Sequence, residues 1–203
     1  MPGFMVPTTR LIPELARLEP VRARLLDSYI DYCTTVSKRT MAMSIETATY
    51  LWWICRQSDA ADVLDMGSGF SSFVLRDYAS VSKHDVRVTS VDDDALWLCR
   101  TGEFLRKWHE TDDGLVLWLD WLERRDVRYD VIFHDFSRGE ARNASMYVAA
   151  ERLTPGGMLI FDDAQHGEHQ AEMRKVAEKW GLDLISLRDV TVDAVRRYAA
   201  MAR

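Results

Sequence analysis

Cysteine is scarce and scattered: Cys33, Cys55 and Cys99 are the only three in 203 residues. An odd count with no CxxC spacing excludes a disulfide framework and a zinc-ribbon pattern, and leaves a reducing cytoplasm as the expected compartment. Long apolar runs are missing as well. Stretches such as Tyr50 to Cys55 fall far short of the ~20 residues a membrane-spanning helix needs. The opening MPGFMVPTTR carries neither an apolar run nor a basic cluster, so neither a signal peptide nor a membrane partner is expected. Positive charge is in deficit, with 26 Lys and Arg against 32 Asp and Glu and a net charge of -6. That balance lacks the basic footprint of a protein that grips a phosphate backbone, so no nucleic-acid partner is expected. No internal repeat or low-complexity segment interrupts the chain, and its length suits one core.

What is present has a regular order. Residues 1–40 read as an N-terminal helical extension or lid. Pro2, Pro7, Pro13 and Pro20 break it early, and Leu15, Leu18, Val21, Leu25, Ile30 and Tyr32 mark a helical stripe. Residues 41–203 read as a single globular domain. Ser44 is placed to cap a helix whose buried side carries Ile45, Ala48, Leu51, Trp52 and Cys55. Short apolar strands then alternate with helical segments. The strands are Ala61–Asp65, Val86–Val91, Leu115–Leu119, Tyr129–His134, Met158–Phe161 and Leu184–Leu187. Pro155-Gly156-Gly157 reads as a turn, and the tail from Ala194 to Ala202 suits either a strand or a helix. The alternation predicts an α/β fold with a doubly wound, mostly parallel sheet and helices on both faces.

The informative pattern is where the acids fall. Asp65, Asp92, Asp120, Asp135 and Asp162 each end a predicted strand, and ligands of open α/β sheets bind at that edge. Each of them singly also suits a turn or a helix cap. Asp65-Met66-Gly67-Ser68-Gly69 forms a glycine loop opening onto a helix, which allows close backbone approach and presents free N–H groups. The dinucleotide fingerprint G-x-G-x-x-G is incomplete, because Ser72 holds the last glycine position. Asp65 would repel a pyrophosphate and suits instead a cation such as the amino group of a methionine moiety. Asp92, about 25 residues on, is placed to accept from ribose hydroxyls. Asp93 and Asp94 suit the cap of the next helix, and Asp120 with Trp121 suits an adenine, the acid taking its amine and the indole its face.

The runs VLDMGSGFSS, VTSVDDD, YDVIFHD and LTPGGMLIFDD resemble, in order and spacing, the successive motifs of class I S-adenosylmethionine-dependent methyltransferases over residues 43–188. The resemblance implies a Rossmann-like seven-stranded sheet with a reversed last hairpin and S-adenosylmethionine as methyl donor. It implies cofactor contacts at Asp65, Gly67, Gly69, Asp92 and Asp120, and Ser68 and Asp93 beside them are further cofactor-binding candidates. Ser71 stands where a third glycine often does, and its hydroxyl suits the methionine carboxylate.

Asp135 and the pair Asp162-Asp163 end what should be neighbouring strands. Three unpaired carboxylates in one cleft repel, and a divalent cation would resolve this, with all-oxygen ligands favouring Mg2+, Ca2+ or Mn2+. The arrangement looks like the metal-dependent O-methyltransferases of the catechol, caffeoyl-CoA and macrocin types. Where the catechol type has a lysine base, this chain has Arg138, which stays protonated. Asp135 and His166 are therefore the catalytic candidates, with His134 an alternative base and His169 a candidate fourth ligand. The acceptor expected is a small molecule with a hydroxyl group, and Arg138 and Arg142 are placed to hold an acidic one. A homo-oligomer is compatible with this reading. Aminopropyl transfer from decarboxylated S-adenosylmethionine, a nucleotide-dependent oxidoreductase, and a binding module that kept the fold are the alternatives.

Overall fold

A computed structural model of the chain describes residues 11–203. The stretch containing Pro2 and Pro7 lies outside the described residues. Helix α1 (Glu19–Thr35) follows a single 3-10 turn at Leu15–Arg17. Its inward stripe is Val21, Leu25, Ser28, Tyr29 and Tyr32, the i, i+4, i+7 spacing of one helix face. Leu15 and Ile30, assigned to that stripe from sequence, point outward at 59% and 53% exposure. Ion pairs hold α1 down: Arg24 grips Asp77 at 2.6 and 2.8 Å, and Asp31 accepts from Lys107 Nζ at 2.6 Å.

Helix α2 (Ile45–Ser58) starts at the expected cap, where Ser44 Oγ accepts from the Thr47 amide at 3.0 Å. It is buried on most sides, because it lies between α1 and α3 (Phe70–Ser80). The remaining elements are β1 (Asp62–Met66), β2 (Arg87–Asp92), α4 (Ala95–Lys107), β3 (Leu115–Leu117), α5 (Trp118–Leu122), β4 (Tyr129–His134), α6 (Gly139–Glu151), β5 (Leu153–Phe161), α7 (Gly167–Trp180), β6 (Leu184–Ser186), α8 (Arg188–Thr191) and β7 (Ala200–Ala202). The tail is thus a strand. Pro155-Gly156-Gly157 is not a free turn: it bulges within β5, where the pairing with β4 shifts register between Tyr129 and Val131.

The seven strands run in the order β3-β2-β1-β4-β5-β7-β6. All pairings are parallel except those of β7, antiparallel to both β5 and β6. Strand residues alternate between two cores. Val63, Val131, Phe133 and Ile160 pack with α1 to α4 on one face, and Leu64, Met66, Ile132 and Leu159 with α5, α6 and α7 on the other. The strand order reverses between β1 and β4, so a crevice opens there at the C-terminal edge. Among the described residues no helix is long and apolar enough to cross a membrane.

Candidate active site

The crevice begins where β1 runs into its glycine loop. Gly67 has φ +98°, and a Cβ there would lie 2.4 Å from the Asp135 carbonyl oxygen, so only glycine lets β1 and β4 approach so closely. The Gly67 amide donates to the Val91 carbonyl at 2.9 Å, which seats the loop on β2. At Gly69 a Cβ would meet the Tyr32 hydroxyl at 2.9 Å. Asp92 closes the loop from the next strand, its Oδ2 accepting from the Ser68 amide at 2.8 Å and from Ser68 Oγ at 3.0 Å. These groups line a cavity of about 270 Å3 that includes Gly67, Ser68, Gly69, Ser71, Asp92 and Asp93. Asp94, rather than Asp93, caps α4 by accepting from the Leu96 amide at 2.8 Å.

Asp65 is placed differently from the sequence expectation. It is wholly buried behind the loop and does not line the cavity. Ser72 Oγ donates to its Oδ2 at 2.5 Å and in turn accepts from the Gly69 amide at 3.2 Å. The serine in the last glycine position therefore ties the strand-end acid to the loop. Burial pushes Asp65 up to about 6, against the pull of Ser72 and of Arg76, itself buried. Its Oδ1 is buried without a hydrogen bond.

Asp120 and Trp121 do not reach the cleft. Strand β3 stops at Leu117, and the chain turns at once into α5. Asp120 is exposed on that helix. Trp121 is wholly buried, donating Nε1–H to Tyr129 Oη at 2.9 Å and packed under the Arg152 guanidinium. Two aromatic residues that no motif marked line the cavity, Tyr32 from α1, which the sequence places in a helical stripe, and Trp97 from α4. Trp97 donates its indole N–H to the Ser68 carbonyl at 2.5 Å. Their spacing on each helix matches a core stripe, so nothing local separated them from core residues.

A second cavity of about 540 Å3 adjoins the first, and the two share Met41, Ala42, Asp135, Ser137 and Arg138. Asp135, Asp162, Asp163, His166 and His169 all line the larger one, so the expected acids do converge. Ser137 and Asp163, in the loops after β4 and β5, both hold left-handed backbone at φ +52° and +57°, strain of the kind that collects at functional sites. Arg197 bounds the cavity by donating to the Thr40 and Ala42 carbonyls at 3.2 and 2.9 Å. His134 is not available as a base: it is wholly buried, bonded to Ser145 Oγ at 2.8 Å, and burial lowers it to about 3. His166 sits exposed at the rim.

The acids do not stand alone, however. Arg142 reaches up from α6, and its Nη1 donates to Asp135 Oδ1 at 2.8 Å and its Nη2 to the Asp162 carbonyl at 3.1 Å. Asp163 Oδ1 accepts from Gln165 Nε2 at 2.8 Å. Among the described residues no group of three His, Cys, Asp or Glu side chains is arranged to hold a metal ion. The donor set therefore does not fit the divalent cation expected from Asp135, Asp162 and Asp163. Burial raises Asp135 to about 6 despite Arg142, and burial with the charges of Asp135 and Asp163 pushes Asp162 well above the carboxylate range.

No protein-family model matches the chain, and no curated protein matches it in sequence. Solved structures do match its fold. The O-methyltransferase from Bacillus cereus, in complex with SAH, is 17% identical over 96% of this chain and 93% of its own, with a TM-score of 0.63. The O-methyltransferase TomG from Streptomyces achromogenes, in complex with SAM, is 16% identical over 96% and 92%, with a TM-score of 0.62. A precorrin-6y C5,15-methyltransferase from Geobacter metallireducens is 14% identical over 80% and 90%, with a TM-score of 0.61. The fold is therefore that of the class I S-adenosylmethionine-dependent methyltransferases, as the order of motifs implied.

Proposed function

We propose that this chain transfers a methyl group from S-adenosylmethionine to a hydroxyl oxygen of a small polar molecule. One observation carries the reading: a glycine-loop cavity and a larger polar cavity open onto each other across the single carboxylate of Asp135. The glycine loop and Ser71 suit the methionine end of the donor, and Asp92, whose Oδ2 accepts from Ser68 and whose Oδ1 accepts from the Asp94 amide at 3.0 Å, keeps a lone pair on Oδ1 for a ribose hydroxyl. Bound S-adenosylmethionine supplies an already activated methyl group, so the protein's task is alignment and handling of one proton. Asp135 has its Oδ1 on Arg142 and no hydrogen bond on Oδ2 among the described residues, with the side chain 29% exposed. A carboxylate raised to about 6 is ionised at neutral pH yet basic enough to take a hydroxyl proton as the oxygen is methylated. His166, exposed and lining the same cavity, is the group we assign to pass that proton to solvent. The O-methyltransferases with this fold favour oxygen as the acceptor atom, and the polar lining favours a hydroxylated molecule over a flat aromatic one.

Calorimetric titration with S-adenosylmethionine, S-adenosylhomocysteine, decarboxylated S-adenosylmethionine and NAD tests the donor. The first two are expected to bind at one site. Binding of NAD alone would sink the reading, and preference for the decarboxylated donor would favour aminopropyl transfer. Labelled methyl transfer to a panel of hydroxylated compounds, with product analysis, then tests the acceptor atom.

A further inference from the structure

Arg142 occupies a position that decides the electrostatics of the larger cavity. Its guanidinium is 6% exposed and lies between the ends of β4 and β5. One nitrogen donates to Asp135 Oδ1 at 2.8 Å and another to the Asp162 carbonyl at 3.1 Å, the latter lying 3.9 Å from Asp163 Oδ2. A single planar cation thus touches both loops that would have to furnish metal ligands. It cannot lose its proton, and a buried cation bound on two sides does not swing out to water cheaply. A divalent ion entering among these acids would lie within a few ångströms of a fixed positive charge, and Asp135 and Asp163 are already engaged by Arg142 and Gln165.

We propose that Arg142 is the resident cation of this site, standing where a divalent metal would otherwise sit, so that the site neither requires nor admits one. Its action is exerted through Asp135. By holding Oδ1 it fixes the rotamer and leaves Oδ2 without a hydrogen bond among the described residues, which makes Arg142 a positioning residue. A guanidinium offers directional donors and no open coordination position, so it orients a base without acting as a Lewis acid toward an acceptor oxygen. The methyl-transfer reading supplies the role of Asp135, but the exclusion of metal rests on the geometry alone.

The test titrates Mn2+ into the protein, followed by the loss of the free-ion paramagnetic resonance signal, in the presence of S-adenosylhomocysteine. The wild-type chain is expected to bind no stoichiometric Mn2+. Arg142→Met, which keeps an unbranched apolar stem but removes the charge, should free the Asp135 carboxylate, lift the positive charge from beside Asp163 and tighten Mn2+ binding by roughly tenfold or more. Adding Asp135→Asn should remove that gain, and Arg142→Lys, which keeps a cation, should not produce it. A purely structural role for Arg142 would create no metal site. One Mn2+ bound by the wild-type chain and lost in Asp162→Asn overturns the proposal. So does a folded Arg142→Met that gains no affinity. The wild-type arm decides the matter if Arg142→Met does not fold. Failure of S-adenosylhomocysteine to bind would strike the methyl-transfer reading and leave the Mn2+ comparison standing.

Discussion

The two halves of the cleft are built in different ways. Half of the smaller cavity's lining comes from two contiguous runs, Gly67 to Ser71 and Asp92 to Asp94, each at the end of a strand. The larger one is assembled from side chains far apart in sequence: Thr40 to Ala42, Asp135, Arg142, Asp162, His166 and Arg197. A contiguous loop after a strand can be read from residue types, because its chemistry is carried by neighbours. An assembled pocket cannot, because its character depends on which distant side chain arrives. Arg142 is the instance: of three acids that suggest a metal, it pairs with Asp135, lies 3.9 Å from Asp163 and holds the backbone carbonyl of Asp162.

The strongest way to break that contrast is at Gly67. If backbone geometry builds the smaller cavity, Gly67→Ala must fail, since the new Cβ lies 2.4 Å from the Asp135 carbonyl at φ +98°. We expect a loss of about 2–5 kcal/mol in urea denaturation and no measurable S-adenosylhomocysteine binding. Wild-type stability would show that the β1–β4 approach is not what holds the loop. Asp92→Ala comes next. It removes the acceptor for Ser68 and for the Asp94 amide and, on the proposed reading, for the ribose, so calorimetry should show affinity reduced roughly tenfold to a hundredfold, ~1.5–3 kcal/mol.

Asp65 sharpens the contrast, because it serves the smaller cavity from behind. Its carboxyl is raised from an ordinary 3.8 to about 6, first by burial. The folded chain thus holds this proton more tightly than the unfolded chain does. The group's contribution to stability is largest below about pH 4, falls as pH rises towards 6, and is flat above. Asp65→Asn cannot titrate. Urea denaturation of both proteins at pH 4, 5, 6 and 7 should show the wild type losing stability relative to the variant across pH 4–6. Parallel curves would mean that Asp65 titrates normally.

Sequence periodicity located six of the seven strands and the major helices from α2 on, because buried strands and amphipathic helices differ in period; the short tail that forms β7 has too few residues to show one. It missed where β3 ends. Leu115 to Leu119 is one apolar run, yet Trp118 and Trp121 bury themselves best on a helix, stacked 5.2 Å apart, and that tertiary demand ends the strand at Leu117. The two residues of difference carried Asp120 and Trp121 out of the cleft. The convergence of Asp135, Asp162 and Asp163 was legible, because parallel neighbours end at one edge. The charge state of that edge was not, since nothing local marks Arg142, one turn into α6, as the residue that reaches back.

The smallest expected effect is also the one that separates packing from binding most cleanly. Trp97 and Trp121 both follow a strand end by a few residues, and both donate an indole N–H, to the Ser68 carbonyl and to Tyr129 Oη respectively. Trp97 lines the smaller cavity, whereas Trp121 is sealed between Trp118, Tyr129 and Arg152. Trp97→Ala should weaken S-adenosylhomocysteine binding by about tenfold, ~1.4 kcal/mol, through lost aromatic surface and a freed Ser68 carbonyl. Trp121→Phe should cost about 1–3 kcal/mol of stability, because Tyr129 Oη loses a buried partner. Its effect on S-adenosylhomocysteine affinity should be nil. Weakened binding in a stable Trp121→Phe variant would return that indole to the cofactor side and place the end of β3 back among the strand edges that hold the ligand.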